Sequence, residues 1–279
     1  MTDLHRRVFV SSVSIAMVVC LIVFAFHPIF QYVVAGVTAL LAGIAIWEYE
    51  QFAKAKGGQM ILPGLILLTI GEVLSFFVSS KIGWFPSLPI IFFFIAFLIL
   101  FALHFGEKDG AVVDLAVSSF GLLYIAVPMG MILGILYSAG VDGRWWITYL
   151  LVVTKITDIG AYFAGSLWGR RKLAPNISPK KTIEGAIFGL ACALLASFIF
   201  GLGSQYAGLF HLGYLEWIFL GLVLGVVGQF GDLSESLLKR DANKKDSNAL
   251  PGLGGVLDAL DSILFTAPII YIYLHCIKL

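Results

Sequence analysis

The feature that most constrains this chain is a run of about 20 mostly apolar residues, repeated from one end of the sequence to the other. That is the length a helix needs to cross the hydrocarbon core of a bilayer, where every backbone polar group must be satisfied internally. The windows fall at 8–26, 29–47, 60–79, 87–105, 112–138, 145–166, 183–203, 216–235 and 256–277. Of the 279 residues, 59% are hydrophobic and only 13% charged, with a mean hydropathy of +0.96. A soluble core does not need so much apolar surface. The expected fold class is therefore all-α: a polytopic integral membrane protein with about nine transmembrane helices. The opening MTDLHRR and the apolar run after it superficially match a signal peptide, but hydrophobic segments continue and no soluble domain follows, so the run reads as the first span. The fifth window contains Pro128 and reads either as one kinked helix or as a helix with a re-entrant piece.

Orientation follows from the basic residues. With the N-terminus in the cytoplasm, that side collects fourteen of the eighteen Lys and Arg, the opposite side collects Lys81, Arg144 and Lys278, and Lys155 lies inside a span. This asymmetry predicts a cytoplasmic N-terminus, an odd number of helices and an external C-terminus. The two longest hydrophilic connections, 167–182 and 237–255, then both lie on the cytoplasmic side, and neither is long enough to fold as a domain. The division expected is 1–140 as a membrane scaffold and 141–279 as the half carrying the chemistry. There is no internal repeat of the kind found in inverted-repeat transporters, and no low-complexity tract.

An ionisable side chain at membrane depth is costly, so those present need a reason. Glu48, Glu50 and Glu72 lie early in the chain, and Glu72 reads as a buried packing residue. Lys155, Asp158, Asp232, Glu235, Asp258 and Asp261 crowd the last four spans. Asp232 and Glu235, and likewise Asp258 and Asp261, are three apart, so each pair shares a helix face, and both pairs flank the loop holding Lys239, Arg240, Lys244 and Lys245. That loop closes on Pro251-Gly252-Leu253-Gly254-Gly255, whose small residues let backbone approach a ligand. Carboxylates beside cations suit a divalent metal with phosphate; the blander alternative is pairing of helix-end charges in the headgroup region. In the other connection, Ser178 reads as the N-cap of span seven with Pro179 at its first position, and Lys180, Lys181 and Thr182 beside that helix start would suit phosphate. Lys155 and Asp158 share a face and read either as a structural pair or as orienting groups in a polar pocket. The histidines, His5, His27, His104, His211 and His275, form no HxxxH or Ser-His-Asp arrangement, which argues against zinc-protease and serine-hydrolase chemistry. Cys20, Cys192 and Cys276 have no metal or redox spacing and read as small buried hydrophobes.

Taken together, Thr157 to Gly165, Leu173 to Gly185, Gly231-Asp232-Leu233-Ser234-Glu235-Ser236 and Ser236-Leu237-Leu238-Lys239-Arg240, followed by Lys245-Asp246, Pro251, Gly254-Gly255, Asp258 and Asp261, resemble the phosphatidate cytidylyltransferase family, also called CDP-diacylglycerol synthase. The resemblance covers about 155–262; the N-terminal half shares only the hydrophobic pattern. The family pattern has a histidine before the paired glycines and an arginine after the first aspartate, where this chain has Leu253 and Ala259. The resemblance implies transfer of CMP from CTP to phosphatidate with Mg²⁺, a second metal ion being an open alternative. It implies metal ligands among Asp232, Asp258, Asp261 and Glu235, and catalytic roles for Asp232, Asp258, Asp261 and Lys239. Substrate contacts are expected from Ser178, Lys180, Lys181, Thr182, Lys239, Arg240, Gly254, Gly255 and Asp158. The partners implied are CTP, phosphatidate and membrane lipid, with no nucleic acid, and a homodimer in the cytoplasmic (inner) membrane with the site facing the cytoplasm. The rival readings are another CTP-dependent lipid enzyme, such as a polyprenol or phytol kinase or a CDP-archaeol synthase, and an ion-coupled transporter using Lys155 and Asp158.

Overall fold

In a computed structural model of the chain, residues 3–83, 85–106, 109–209, 213–244 and 254–278 are described. Lys245, Asp246, Pro251 and Leu253 of the signature lie outside the described residues. Each apolar window coincides with a helix: α1 (Asp3–Val23), α2 (Phe30–Ala55), α3 (Leu62–Ile82), α4 (Leu88–His104), α5 (Ala111–Gly121) continuing into α6 (Val127–Leu136), α7 (Gly143–Trp168), α8 (Ile183–Tyr206), α9 (Tyr214–Asp241) and α10 (Val256–Ile272). Among the described residues, seven helical segments are long and apolar enough to cross a membrane; Ser12–Val23 and Leu88–His104 are apolar but shorter.

The fifth window is one continuous helical segment, Ala111–Leu136. A π-helical turn at Leu122–Ala126 joins α5 to α6 immediately before Pro128. A proline ring clashes with the carbonyl four residues earlier, and the wider turn accommodates this without breaking the helix. No re-entrant piece is present there.

The chain divides into two compact units, residues 1–139 with 241–260, and residues 140–240 with 261–279. In the first, small residues of α2 (Ala39, Ala42, Ala45) and large ones of α3, the π-helical turn and α6 (Val73, Phe76, Ile125, Met129, Leu133) form the core. Long-range hydrogen bonds pin it: the Tyr137 hydroxyl donates to the Ala25 carbonyl at 3.1 Å, and the Tyr49 hydroxyl to the Val117 carbonyl at 3.2 Å. Glu72 is buried, and its Oε2 has no hydrogen-bond partner among the described residues.

In the second unit α7 and α8 run in close contact because glycines face each other. A Cβ on Gly185 would stand 2.6 Å from the Ala161 carbonyl oxygen, and one on Gly189 2.9 Å from that of Thr157. Small residues of this kind let membrane helices approach backbone to backbone. Trp146, Tyr149, Trp217, Leu220 and Leu224 are buried around them, and Ser197 links Tyr149 to the Trp217 carbonyl through two 2.7 Å hydrogen bonds.

Between α7 and α8 the expected helix start at Ser178 is replaced by a hairpin. Strand β1 (Lys172–Ala174) pairs antiparallel with β2 (Ser178–Thr182), Lys172 opposite Thr182. Its turn, Ala174-Pro175-Asn176-Ile177, closes with Ile177 N–H donating to the Ala174 carbonyl at 3.2 Å, and Pro175 holds the position a tight turn favours. Ser178 and Pro179 are therefore strand residues, and the N-cap is Thr182, whose Oγ1 accepts from the Gly185 amide at 3.1 Å. The cysteines also depart from expectation: Cys20 and Cys276 are exposed on apolar helices and Cys192 is half-buried, all three as free thiols.

Candidate functional site

In the second unit, charged residues converge from α7, β2, α9 and α10. The Lys181 ammonium, at the end of β2, lies 2.7 Å from Asp232 Oδ2 on α9, the two side chains being one-quarter and one-third exposed. Asp158 on α7 has the Lys155 ammonium 3.7 Å from its Oδ2, one turn away on the same face, and the same oxygen accepts from Ser262 Oγ at 3.4 Å. Asp261 is buried, and its Oδ1 accepts the Ser262 amide at 2.5 Å. Asp158, Asp232 and Asp261 lie within electrostatic range of one another, as do Lys155 and Asp261. Gly231 makes this convergence of α9 and α10 sterically feasible, since a Cβ there would stand 2.7 Å from the Asp261 carbonyl oxygen.

A cavity of about 140 Å³ opens beside this cluster, its polar wall formed by Asp158, Lys181, Thr182, Gln229 and Asp232 and its apolar wall by Ala161, Tyr162, Leu173 and Ala186. Gln229 and Tyr162 were not singled out in the sequence. Gln229 sits three residues before Asp232, and its Nε2 donates to the Ala186 carbonyl at 3.2 Å, which fixes the amide against α8. Its place one turn from Asp232 was the available signal; a neutral amide in an apolar helix does not otherwise stand out.

The remaining expected residues of this unit occupy other positions. Glu235 is fully buried and ion-paired with Lys239 four residues on. Arg240 donates from Nε to the Ile177 carbonyl at 3.2 Å, tying α9 to the hairpin turn. Lys180 is exposed, and Ser178 is half-buried at the start of β2.

Gly254, Gly255 and Asp258 belong to the first unit. Asp258 Oδ2 accepts the Gly255 amide at 2.7 Å, a cap on the first turn of α10, and Gly254 takes φ +79°, a left-handed conformation that favours glycine. The next two amides, Val256 and Leu257, donate at 3.0 and 2.7 Å to the two carboxylate oxygens of the fully buried Glu48 on α2. Glu48 had no role in the sequence reading.

Three carboxylates against two lysines leave an excess of negative charge in the second-unit cluster. Hard oxygen donors in such a place fit Mg²⁺, which takes one or two protein carboxylates and keeps several waters. Among the described residues no three or more His, Cys, Asp or Glu side chains are grouped so as to hold a metal ion by themselves.

Comparison with known proteins places the chain. The pattern of the Cytidylyltransferase family matches residues 5–277. A phosphatidate cytidylyltransferase of Chlamydia pneumoniae is 37% identical over 287 residues, covering 98% of this chain and 92% of the relative. The protein of that name from Bacillus subtilis is 32% identical over 279 residues and 98% of both chains, and that from Staphylococcus aureus is 43% identical over 141 residues, half of this chain. With a match running through every helix from α1 to α10, the chain belongs to the cytidylyltransferase family.

Proposed function

We propose that this multi-pass membrane protein is a phosphatidate cytidylyltransferase, transferring CMP from CTP to phosphatidate to give CDP-diacylglycerol and pyrophosphate. The observation that carries the reading is the near end-to-end likeness to proteins of that name, 98% of this chain with the Chlamydia pneumoniae relative and 98% of both chains with the Bacillus subtilis one. Neither the lipid-kinase nor the transporter reading has comparable support.

The reaction joins two polyanions. A phosphate oxygen of phosphatidate attacks the α-phosphorus of CTP, a new P–O bond forms, and the bond to the β-phosphate oxygen breaks to release pyrophosphate. A phosphate monoester has a second pKa of about 6, so the nucleophile is largely ionised at neutral pH and needs no strong general base. What it needs is neutralised charge and alignment. Lys181 and Lys155 supply cations within the cluster, while Arg240 and Lys180 bring further positive charge to the hairpin side of it. Mg²⁺, held by Asp232 and Asp261 with Asp158 beside them, would supply the remaining charge neutralisation on the transferring phosphoryl group. The apolar wall of Tyr162, Leu173, Ala161 and Ala186 suits the glycerolipid end of phosphatidate. The excess of Lys and Arg in the connections on the α7–α8 hairpin side supports a site facing the cytoplasm, where CTP is found.

The test is pyrophosphate release from CTP and Mg²⁺ by the detergent-purified protein, with and without phosphatidate. Release that requires phosphatidate, yields CDP-diacylglycerol and falls at least about 100-fold in Asp232→Asn is the expected result, in line with losing a group that acts on the transition state. Release of CDP in place of pyrophosphate, or no turnover by folded protein, overturns the assignment.

A further inference from the structure

The contact between α2 and the start of α10 is unusual for a chain whose signature lies in its second half. Glu48 is fully buried, and both its carboxylate oxygens are spent on backbone amides more than 200 residues away. The first amides of a helix have no partner inside it, and together with the helix dipole they favour an anion. Here the anion is a side chain of the same unit. The Gly255 amide goes to Asp258 Oδ2 and the next two to Glu48, so three consecutive donors are engaged in one continuous arrangement. The glycines of this turn let the chain reach that geometry: at Gly254, φ is +79° and an added Cβ would stand 2.8 Å from Asp258 Oδ2.

We propose that Glu48 is a positioning residue for cytidylyl transfer: its carboxylate, seated on the amides of Val256 and Leu257, fixes the first turn of α10 and so sets the direction of the Asp258 carboxylate. The proposal rests on the phosphatidate cytidylyltransferase reading and on the role that the resemblance to that family implies for Asp258. Glu48 touches no reacting atom; it acts through the backbone of the turn that carries Asp258. Within the first unit, α2 thereby holds an element of the signature in register. A consequence is that the Val256 and Leu257 amides are not available to bind phosphate while Glu48 is in place, so the glycine turn serves geometry at those two positions.

The experiment uses the full-length protein in mixed micelles with phosphatidate and compares wild type with Glu48→Gln and Glu48→Ala. Glu48→Gln keeps the side-chain volume and one carbonyl acceptor, and guards against a misfolded alanine variant. Hydrogen exchange at the Val256 and Leu257 amides, the melting temperature and the steady-state constants are read together. The expected result is kcat lowered about 10- to 100-fold in Glu48→Ala, the scale seen when groups that orient active-site ligands are removed. The KM for CTP should stay within about threefold of wild type on the same reasoning, since uniform binding is not what is lost. Glu48→Gln should fall between, and the two amides should lose protection in the same order. Wild-type kcat in folded Glu48→Ala, unchanged exchange at both amides, or a kcat loss that only tracks the folded fraction would each overturn the proposal. If the wild type itself gives no phosphatidate-dependent pyrophosphate, the functional reading fails separately, and the exchange data still decide whether Glu48 holds the turn.

Discussion

At the scale of single residues, the candidate site centres on the Lys181–Asp232 ion pair, which yields a prediction that separates chemistry from stability. The two side chains are partly exposed, 25% and 33%, while the ammonium nitrogen itself is buried, and their attraction contributes on the order of 1 kcal/mol to folding. Lys181→Met should therefore leave the melting temperature within a few degrees of wild type while lowering kcat/KM for CTP by about 100-fold or more, the cost of removing a charge-stabilising group. Thermal denaturation and initial rates on the same preparation check this, and a variant that loses stability and activity in parallel would contradict it. Asp232, Asp158 and Asp261 stood out in the sequence because charge inside apolar helices is expensive and therefore sparse, and Lys181 because it stands beside a helix start in a hydrophilic connection. Glu48 shared that cost but not the legibility: its partners are backbone amides, which carry no side-chain signal, and they lie in a turn that only the fold brings to α2. Glu235 shares the spacing that suggested a common role with Asp232, and the structure has it fully buried and paired with Lys239 one turn on along α9.

At the scale of elements, hydrophobic length fixed where the helices are but not how they begin. Ser-Pro-Lys-Lys has the composition of a capped helix start, yet the Pro175-Asn176 turn and the antiparallel register of Lys172 with Thr182 draw the segment into a hairpin, and the cap moves four residues on to Thr182. Local signals for a cap and for a strand edge overlap here, and the pairing of two short strands decides between them. At α7 the cap is a carboxylate. Asp142 precedes Gly143 and α7, accepts the Arg144 amide at 3.1 Å, and takes the Arg144 guanidinium Nη2 on Oδ2 at 2.6 Å. Partial burial pushes its carboxyl up, but the hydrogen bonds and charge of Arg144 outweigh that and hold it below the usual carboxylate range. A carboxyl whose value is lowered by folding stabilises the fold above the unfolded value, about 3.9, and loses that contribution as pH falls through the lowered folded value. Asp142→Ala should accordingly cost about 1 kcal/mol at neutral pH. The difference from wild type should shrink on acidification below about pH 4. Melting curves of both proteins from pH 7 downwards would show the convergence, and a difference that stays constant to low pH would assign the cost to lost packing instead.

At the scale of the whole molecule, the balance is inverted relative to a soluble protein. Phe94, Leu98, Val112, Leu123, Ile187, Leu195, Phe219 and Val226 are exposed on the outer faces of their helices, while Glu48, Glu72, Thr154, Ser197 and Glu235 are buried. Apolar surface on this scale is the signature of a lipid-facing exterior. The alternation of basic residues along the chain then gives a direct prediction of sidedness. With most Lys and Arg on one side, the 167–182 hairpin faces the cytoplasm and the connection before α7 faces away. In a background with Cys20, Cys192 and Cys276 replaced by serine, Val141→Cys should be labelled in intact cells by a membrane-impermeant thiol reagent. Lys172→Cys, on the exposed strand β1, should react only after the membrane is opened. The two positions are separated by α7 alone, a 26-residue helix long enough to cross the bilayer, so they must report opposite sides if α7 spans it. Labelling of Lys172→Cys from outside would reverse the orientation, and with it the access of the Lys181–Asp232 cluster to cytoplasmic CTP. Equal labelling of both would mean that α7 does not cross, and the charge asymmetry would then need another cause than sidedness.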